Sequence, residues 1–312
     1  MKCTAAIIHM MVIAFVIIGT NHLTFAQPNY PTNPENAQLI YSDVQNFVNA
    51  FENLNHTSDT ITVLNKYYFD VATPGLKEYM VRHKLTPVLL KAAIQKNPER
   101  YKKISGFLAN QSSFRPEYKK TLLQFSEVLP SAMYPPTYLL VGANRGIAQA
   151  SKVGQLITIT KVLDSNEMLK KLIVHELAHF QQAIAMGMQA YGSLYGKPNN
   201  MLGLCLREGG AEFITFLVLK EITQAKTLTY FQSNESELKS RFIKDLSQQE
   251  EGYWLWNSID DLTTPQLLGY VIGFKICDAY YQRAHNKQIA LKEILSMTSP
   301  DTFLETSQYL VK

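Results

Sequence analysis

The chain has 312 residues, enough for one large domain or two small ones with a substantial core. Hydrophobic residues make up 46% and charged residues 18%, which is the balance of a globular protein and excludes a disordered or fibrous one. The net charge of +4 is too small to indicate nucleic-acid binding.

The N-terminus is typical of a secretory signal peptide. Lys2 supplies the positive charge, residues 5–19 are mostly apolar, and Thr24-Phe25-Ala26 offers small residues for signal peptidase. An uncleaved anchor is the alternative, but the apolar run contains His9 and is shorter than the roughly 20 residues of a membrane span. We therefore expect residues 1–26 to be removed and the mature chain to be periplasmic or secreted, with no membrane span.

The next third of the chain is predicted to be helical. Residues 27–36 are rich in Pro and Asn, which indicates a linker. Apolar residues then recur with helical spacing over residues 44–51, 86–95 and 116–128. No motif here suggests chemistry, so residues 37–133 are interpreted as a helical part that covers the remainder of a single domain.

A small sheet is predicted in the central part, residues 134–225. Residues 137–142 and 154–160 are rich in β-branched and aromatic side chains and are separated by turn-prone residues. These two strands form either a hairpin or neighbours in a sheet. Asp164 and Glu167 have the spacing of a capping box, which predicts the start of a helix that ends near Gly187.

That helix carries the motif His175-Glu176-Leu-Ala-His179. One helical turn separates the two imidazoles, so both can bind one zinc ion, and Glu176 can take a proton from a zinc-activated water. The surrounding apolar residues predict a buried helix, in which a metal offsets the cost of burying these polar groups. The structural alternative is a helix whose two histidines are only hydrogen-bonded.

A second acidic motif follows a predicted loop over residues 191–204. In Arg207-Glu208-Gly-Gly-Ala-Glu212 the two carboxylates share a helical face, and the glycines permit close packing. A zinc ion held by the first helix would explain both features. A solvated acidic edge is the alternative.

The last part, residues 226–312, is predicted to be helical. Thr263-Thr264-Pro265 indicates the start of a helix that contains Gly269, Tyr270 and Gly273. After the signal peptide only Cys205 and Cys277 remain, and their spacing and number fit a disulfide or two buried thiols equally well.

Together the two motifs resemble the gluzincin metallopeptidases. The resemblance is closest to a family of predicted secreted or membrane-associated zinc proteases related to gliding-motility lipoproteins, which is similar over most of the mature chain. Its matching segments include residues 138–142, His179-Phe-Gln-Gln182 and residues 268–273. The resemblance implies Glu208 as the third zinc ligand, Glu212 as the residue that orients a ligand histidine, and Tyr270 as a donor to the developing oxyanion.

We therefore expect a predominantly helical α+β domain of the zincin-like type, with a small sheet beside the active-site helix. It would bind one zinc ion through His175, His179 and Glu208 and hydrolyse peptides or proteins with Glu176 as general base. A binding or chaperone-like protein on this fold, or a zinc hydrolase of a non-peptide amide, is the alternative.

Overall fold

The computed structural model describes residues 30–54, 59–195, 201–248, 252–255, 264–297 and 299–310. Within them the chain is mostly helical. The N-terminal part contains α1 (Ser42–Asn53), α2 (Thr60–Leu64), α3 (Pro74–His83), α4 (Pro87–Lys96), α5 (Pro98–Ala109) and α6 (Gln111–Val128). The later helices are α7 (Asn166–Met186), α8 (Met188–Tyr195), α9 (Met201–Leu219), α10 (Ala225–Ser233), α11 (Glu235–Asp245), α12 (Leu268–Arg283), α13 (Lys287–Ser296) and α14 (Pro300–Ser307).

The sheet has four strands, β1 (Leu39–Ile40), β2 (Thr137–Leu140), β3 (Ala148–Ser151) and β4 (Gly154–Thr158), in the order β1-β2-β4-β3. The two predicted strands are parallel neighbours, β2 and β4, and both are buried throughout. The hairpin is formed instead by β4 and the antiparallel edge strand β3. Strand β3 was not predicted, because its residues have little strand propensity and pairing with β4 defines the strand.

Hydrogen bonds from buried tyrosines connect the N-terminal helical part to the sheet. The Tyr68 hydroxyl donates to Val141 O over 2.7 Å, and the Tyr101 hydroxyl donates to Gly142 O over 2.9 Å. These bonds satisfy the backbone where β2 ends, and they connect two helical elements to the central part of the chain.

The predicted signal peptide, residues 1–26, and residues 27–29 of the predicted linker lie outside the described residues. From Tyr30 onwards the chain lies against the domain. The Tyr30 ring packs edge-on against Phe180 at 5.3 Å, and its hydroxyl donates to Lys152 O over 2.6 Å. A short 3-10 turn, Pro34–Asn36, leads into β1.

Helices α7, α9 and α12 lie side by side, with α9 packed against both of the others. The α9–α12 contact has almost no room for side chains. A Cβ atom on Gly209 would lie 2.1 Å from the carbonyl carbon of Gly273, and a Cβ atom on Gly269 would lie 2.7 Å from Cys205 Sγ. The two helices therefore approach through their backbones, as the glycines predicted.

Two predicted helix starts are wrong. Helix α6 begins at Gln111 and not at Pro116, because burial of Phe114 favours a helix that continues through the proline. Helix α12 begins at Leu268 and not at Thr264-Pro265. Its preceding residue, Leu267, has a left-handed backbone with φ of 66°.

The capping box and the long loop are also corrected. The Ser165 side chain, and not that of Asp164, caps α7 by accepting from Met168 N over 3.1 Å. Asp164 instead binds Arg100 and Lys103. Of the predicted loop over residues 191–204, residues 191–195 belong to α8 and residues 201–204 to α9, whose burial outweighs the helix-breaking tendency of its glycines. Residues 196–200 lie outside the described residues.

The remaining predictions of this kind have clear outcomes. Helix α7 ends at Gly187, which has φ of 81°, as predicted. Cys205 and Cys277 are both buried and free. Among the described residues, no helix is long and apolar enough to cross a membrane.

Candidate metal centre

The two histidines of α7 and the first carboxylate of α9 meet in the interior. His179 Nε2 lies 3.0 Å from His175 Nε2 and 3.1 Å from Glu208 Oε2, and His175 Nε2 lies 3.5 Å from the same Glu208 oxygen. Each of the three residues is at most 8% exposed. The predicted ligands are thus brought together by helical spacing within α7 and by the packing of α9 on it.

The other nitrogen of each imidazole faces an acceptor. His179 Nδ1 lies 2.8 Å from Gln182 Oε1. His175 Nδ1 lies 3.1 Å from Glu212 Oε1, with the carboxylate off the direction of the N–H bond, so that this contact is an ion pair more than a hydrogen bond. These partners favour a proton on both Nδ1 atoms and direct both Nε2 lone pairs towards Glu208.

The two oxygens of the Glu208 carboxylate have different partners. Arg207 Nε and Nη2 lie 2.8 and 2.6 Å from Glu208 Oε1, while Oε2 faces the imidazoles. Burial raises the pKa of Glu208, but Arg207 and the histidines outweigh it and hold that pKa well below the usual value. Glu208 therefore presents a charged oxygen to the cluster.

The environment of His175 attracts positive charge. Burial lowers the pKa of His175, but the carboxylates of Glu208, Glu212 and Glu176 outweigh this effect and raise the pKa well above its usual value. A proton or a metal cation between these groups would relieve the same repulsion.

Glu176 lies near the candidate ligands His175, His179 and Glu208 and near the edge strand β3. The backbone N–H of Ala150 in β3, against which α7 packs, is close enough to lower the pKa of the Glu176 carboxyl group slightly. Burial raises the pKa of Glu176, while the two imidazoles oppose that rise. The predicted base is therefore buried beside the candidate ligands.

Two tyrosines flank the cluster. The Tyr270 ring stacks on that of His175 at 5.9 Å with an angle of 13° between the planes, and the Glu208 carboxylate is close enough to its hydroxyl to raise the pKa of Tyr270. On α8, Tyr191 is close enough for the charges of Arg207, Glu208 and Glu176 to act on its hydroxyl. Burial raises the pKa of both tyrosines, so both remain neutral hydroxyl groups.

The arrangement fits a metal cation. One ligand atom from each of His175, His179 and Glu208 can be chosen so that all lie within 4.8 Å of one another. With both Nδ1 atoms as donors, the three converging atoms are all acceptors, and acceptors placed this close repel one another without a cation between them. The three residues therefore form a buried group that could hold a metal ion, and two imidazoles with one carboxylate are a common zinc ligand set.

The structural roles of Gln182 and Arg207 were not predicted from the sequence. Gln182 lies one turn after His179 on the same face of α7, which was the available signal. The position of its amide between α7 and α9 depends on tertiary packing, and so does the contact of Arg207 with its neighbour Glu208.

Comparisons of the chain with protein-family models, with curated proteins and with solved structures found no match. The site must therefore be interpreted from its own geometry and chemistry.

Proposed function

We propose that the protein is an exported zinc-dependent metallopeptidase of the gluzincin type, with a zincin-like catalytic domain. The single observation that carries the proposal is the convergence of two imidazole nitrogens and one carboxylate oxygen next to a buried Glu176. This is the residue set that zinc-dependent hydrolysis needs, with one position left for water or substrate.

In this proposal His175, His179 and Glu208 hold one zinc ion. When bound, zinc lowers the pKa of water and polarises the carbonyl of the scissile bond. Glu212 keeps the His175 ring in place through Nδ1, and Arg207 keeps one Glu208 oxygen facing the histidines.

Glu176 acts as the general base. Its carboxylate removes a proton from the attacking water and afterwards delivers that proton to the leaving amine. Burial of Glu176 excludes bulk water, which strengthens its interaction with the reacting groups.

Tyr270 is the proposed donor to the carbonyl oxygen, on which negative charge develops. Its stacking on His175 places the ring beside the candidate ligands, and its hydroxyl lies next to Glu208. A neutral phenol can donate a hydrogen bond without adding a charge to the site.

The test is cleavage of a peptide library by the purified protein, before and after removal of metal with a chelator, together with elemental analysis. We expect bound zinc and cleavage that the chelator abolishes and added zinc restores. Glu176→Gln should keep the zinc and lose most of the cleavage, since the amide is isosteric but not a base. Zinc binding without cleavage of any peptide would overturn the peptidase proposal, and absence of zinc would overturn its metal centre.

A further inference from the structure

A buried glutamine connects α7, which carries the two candidate histidine ligands, to α9, which carries Glu208. Gln182 is 1% exposed, and its side-chain amide makes two hydrogen bonds. Gln182 Oε1 accepts from His179 Nδ1 over 2.8 Å, and Gln182 Nε2 donates to the backbone carbonyl of Arg207 over 2.9 Å. The amide therefore lies between α7 and α9, immediately before Glu208.

The second bond determines the direction of the first. A side-chain amide can be turned over without a change in shape, so its orientation must be inferred from its partners. The Arg207 carbonyl can only accept, so the Gln182 nitrogen must face it and the Gln182 oxygen must face His179. His179 Nδ1 must then carry the proton, which leaves the lone pair of Nε2 directed at His175 and Glu208.

The packing of α9 leaves room for this amide. Gly210 lies beside it, and a Cβ atom at Gly210 would lie 3.0 Å from Gln182 Nε2. A larger side chain there would press on the amide. This contact gives a reason for the second glycine of the Gly209-Gly210 pair that the α9–α12 packing does not supply.

We propose that Gln182 is a positioning residue of the metal centre. It fixes the tautomer of His179 and the distance between that imidazole and Glu208. The inference rests on the proposed function only in that His179 is taken to be a metal ligand. Partners that orient a ligand imidazole in this way typically contribute about 10–100-fold to metal affinity.

The adjacent residue provides a matched control. Gln181 is on the same helix and 5% exposed, and its amide also makes two hydrogen bonds with backbone. Both bonds are to Met133: its N–H donates to Gln181 Oε1 over 3.0 Å, and Gln181 Nε2 donates to its carbonyl over 2.8 Å. Gln181→Met and Gln182→Met thus remove equivalent bonds from neighbouring positions, but only the second removes a partner of a histidine.

The experiment measures zinc affinity by competition with a chelating dye, and the tautomer of His179 by nitrogen-15 NMR of the metal-free protein. In the wild type we expect His179 to be protonated at Nδ1. Gln182→Met should mix the two tautomers and weaken zinc binding by about 10–100-fold, whereas Gln181→Met should change the affinity by less than about 3-fold. Gln182→Glu, which keeps an acceptor for Nδ1, should retain the tautomer and bind zinc more tightly than Gln182→Met.

Several results would overturn the inference. The first is protonation of wild-type His179 at Nε2. The second is a zinc affinity of Gln182→Met equal to that of the wild type. The third is a loss of zinc affinity in Gln181→Met as large as that in Gln182→Met. The wild-type tautomer remains decisive even if a variant does not fold. A wild-type protein that binds no zinc would instead refute the proposed metal centre, so the two failures are distinguishable.

Discussion

Replacing Gly209 by alanine should force α9 and α12 apart at the metal centre. The new Cβ atom would lie 2.1 Å from the carbonyl carbon of Gly273 and 2.2 Å from Phe274 N. Carbon atoms in contact normally stand about 3.5–4.0 Å apart, so one backbone must retreat by about 1.5 Å. Neither clashing atom belongs to a side chain that could rotate away.

The cost follows from two opposing effects. Overpacking a core typically costs about 1–3 kcal/mol, and a clash with backbone belongs at the upper end of that range. Alanine also favours the helix over glycine by up to about 1 kcal/mol. We expect a net loss of about 2 kcal/mol in the free energy of unfolding, and weaker zinc binding because Glu208 directly precedes the substituted residue.

Urea denaturation and zinc titration of Gly209→Ala measure both effects. The control is Gly106→Ala in α5, where an added Cβ atom would meet nothing within 4 Å. That exposed position should gain about 0.5–1 kcal/mol. A Gly209→Ala protein with wild-type stability and zinc affinity would refute the close approach of α9 and α12.

Three further predictions concern single side chains. Glu208→Ala should lose bound zinc while the protein remains folded, as measured by elemental analysis and circular dichroism, because only the carboxylate ligand is removed. Tyr270→Phe should lower turnover by about 10²–10³-fold with unchanged zinc content and melting temperature, and unchanged turnover would return Tyr270 to a packing role. Burial lowers the pKa of His83, the side chain of Gln149 opposes this effect, and the charges of Arg82 and Arg145 add to it. The folded protein therefore binds this proton less readily than the unfolded chain, whose histidine has a pKa of about 6.5. The stability that neutral His83 contributes is therefore complete above about pH 6.5 and is lost as the pH falls through the lower pKa of the folded state. Urea denaturation of His83→Gln should accordingly show a smaller loss of stability on acidification than that of the wild type.

The candidate metal ligands could be predicted from the sequence because much of their geometry is local. One helical turn fixes the relation of His175 to His179 and of Glu208 to Glu212, whatever the rest of the chain does. The approach of the two helices was also indicated by glycines in the sequence. The stacking of Tyr270 on His175 has no such local cause, and only the resemblance suggested that Tyr270 belongs to the site.

The errors arose where tertiary contacts override local preference. The Gly- and Asn-containing stretch after Tyr191 was predicted to be a loop, but burial of α9 keeps Gly203 helical. Edge strand β3 exists because β4 supplies its hydrogen bonds. Likewise, the start of α12 depends on Trp254, whose carbonyl accepts from Gly269 N over 2.6 Å before the helical bonds begin.

The parallel pairing of β1 with β2 has a consequence for how the chain can be divided. Leu39 pairs with Thr137, so the covalent connection between these strands runs through helices α1 to α6. Parallel strands require such a crossover connection. The sheet therefore cannot be complete until the helices of this connection have folded. A fragment that begins at residue 134 would lose β1 and the tyrosine hydroxyls that satisfy Val141 O and Gly142 O. The N-terminal helices and the helices α7 and α9, which carry the candidate ligands, should therefore unfold in one cooperative transition.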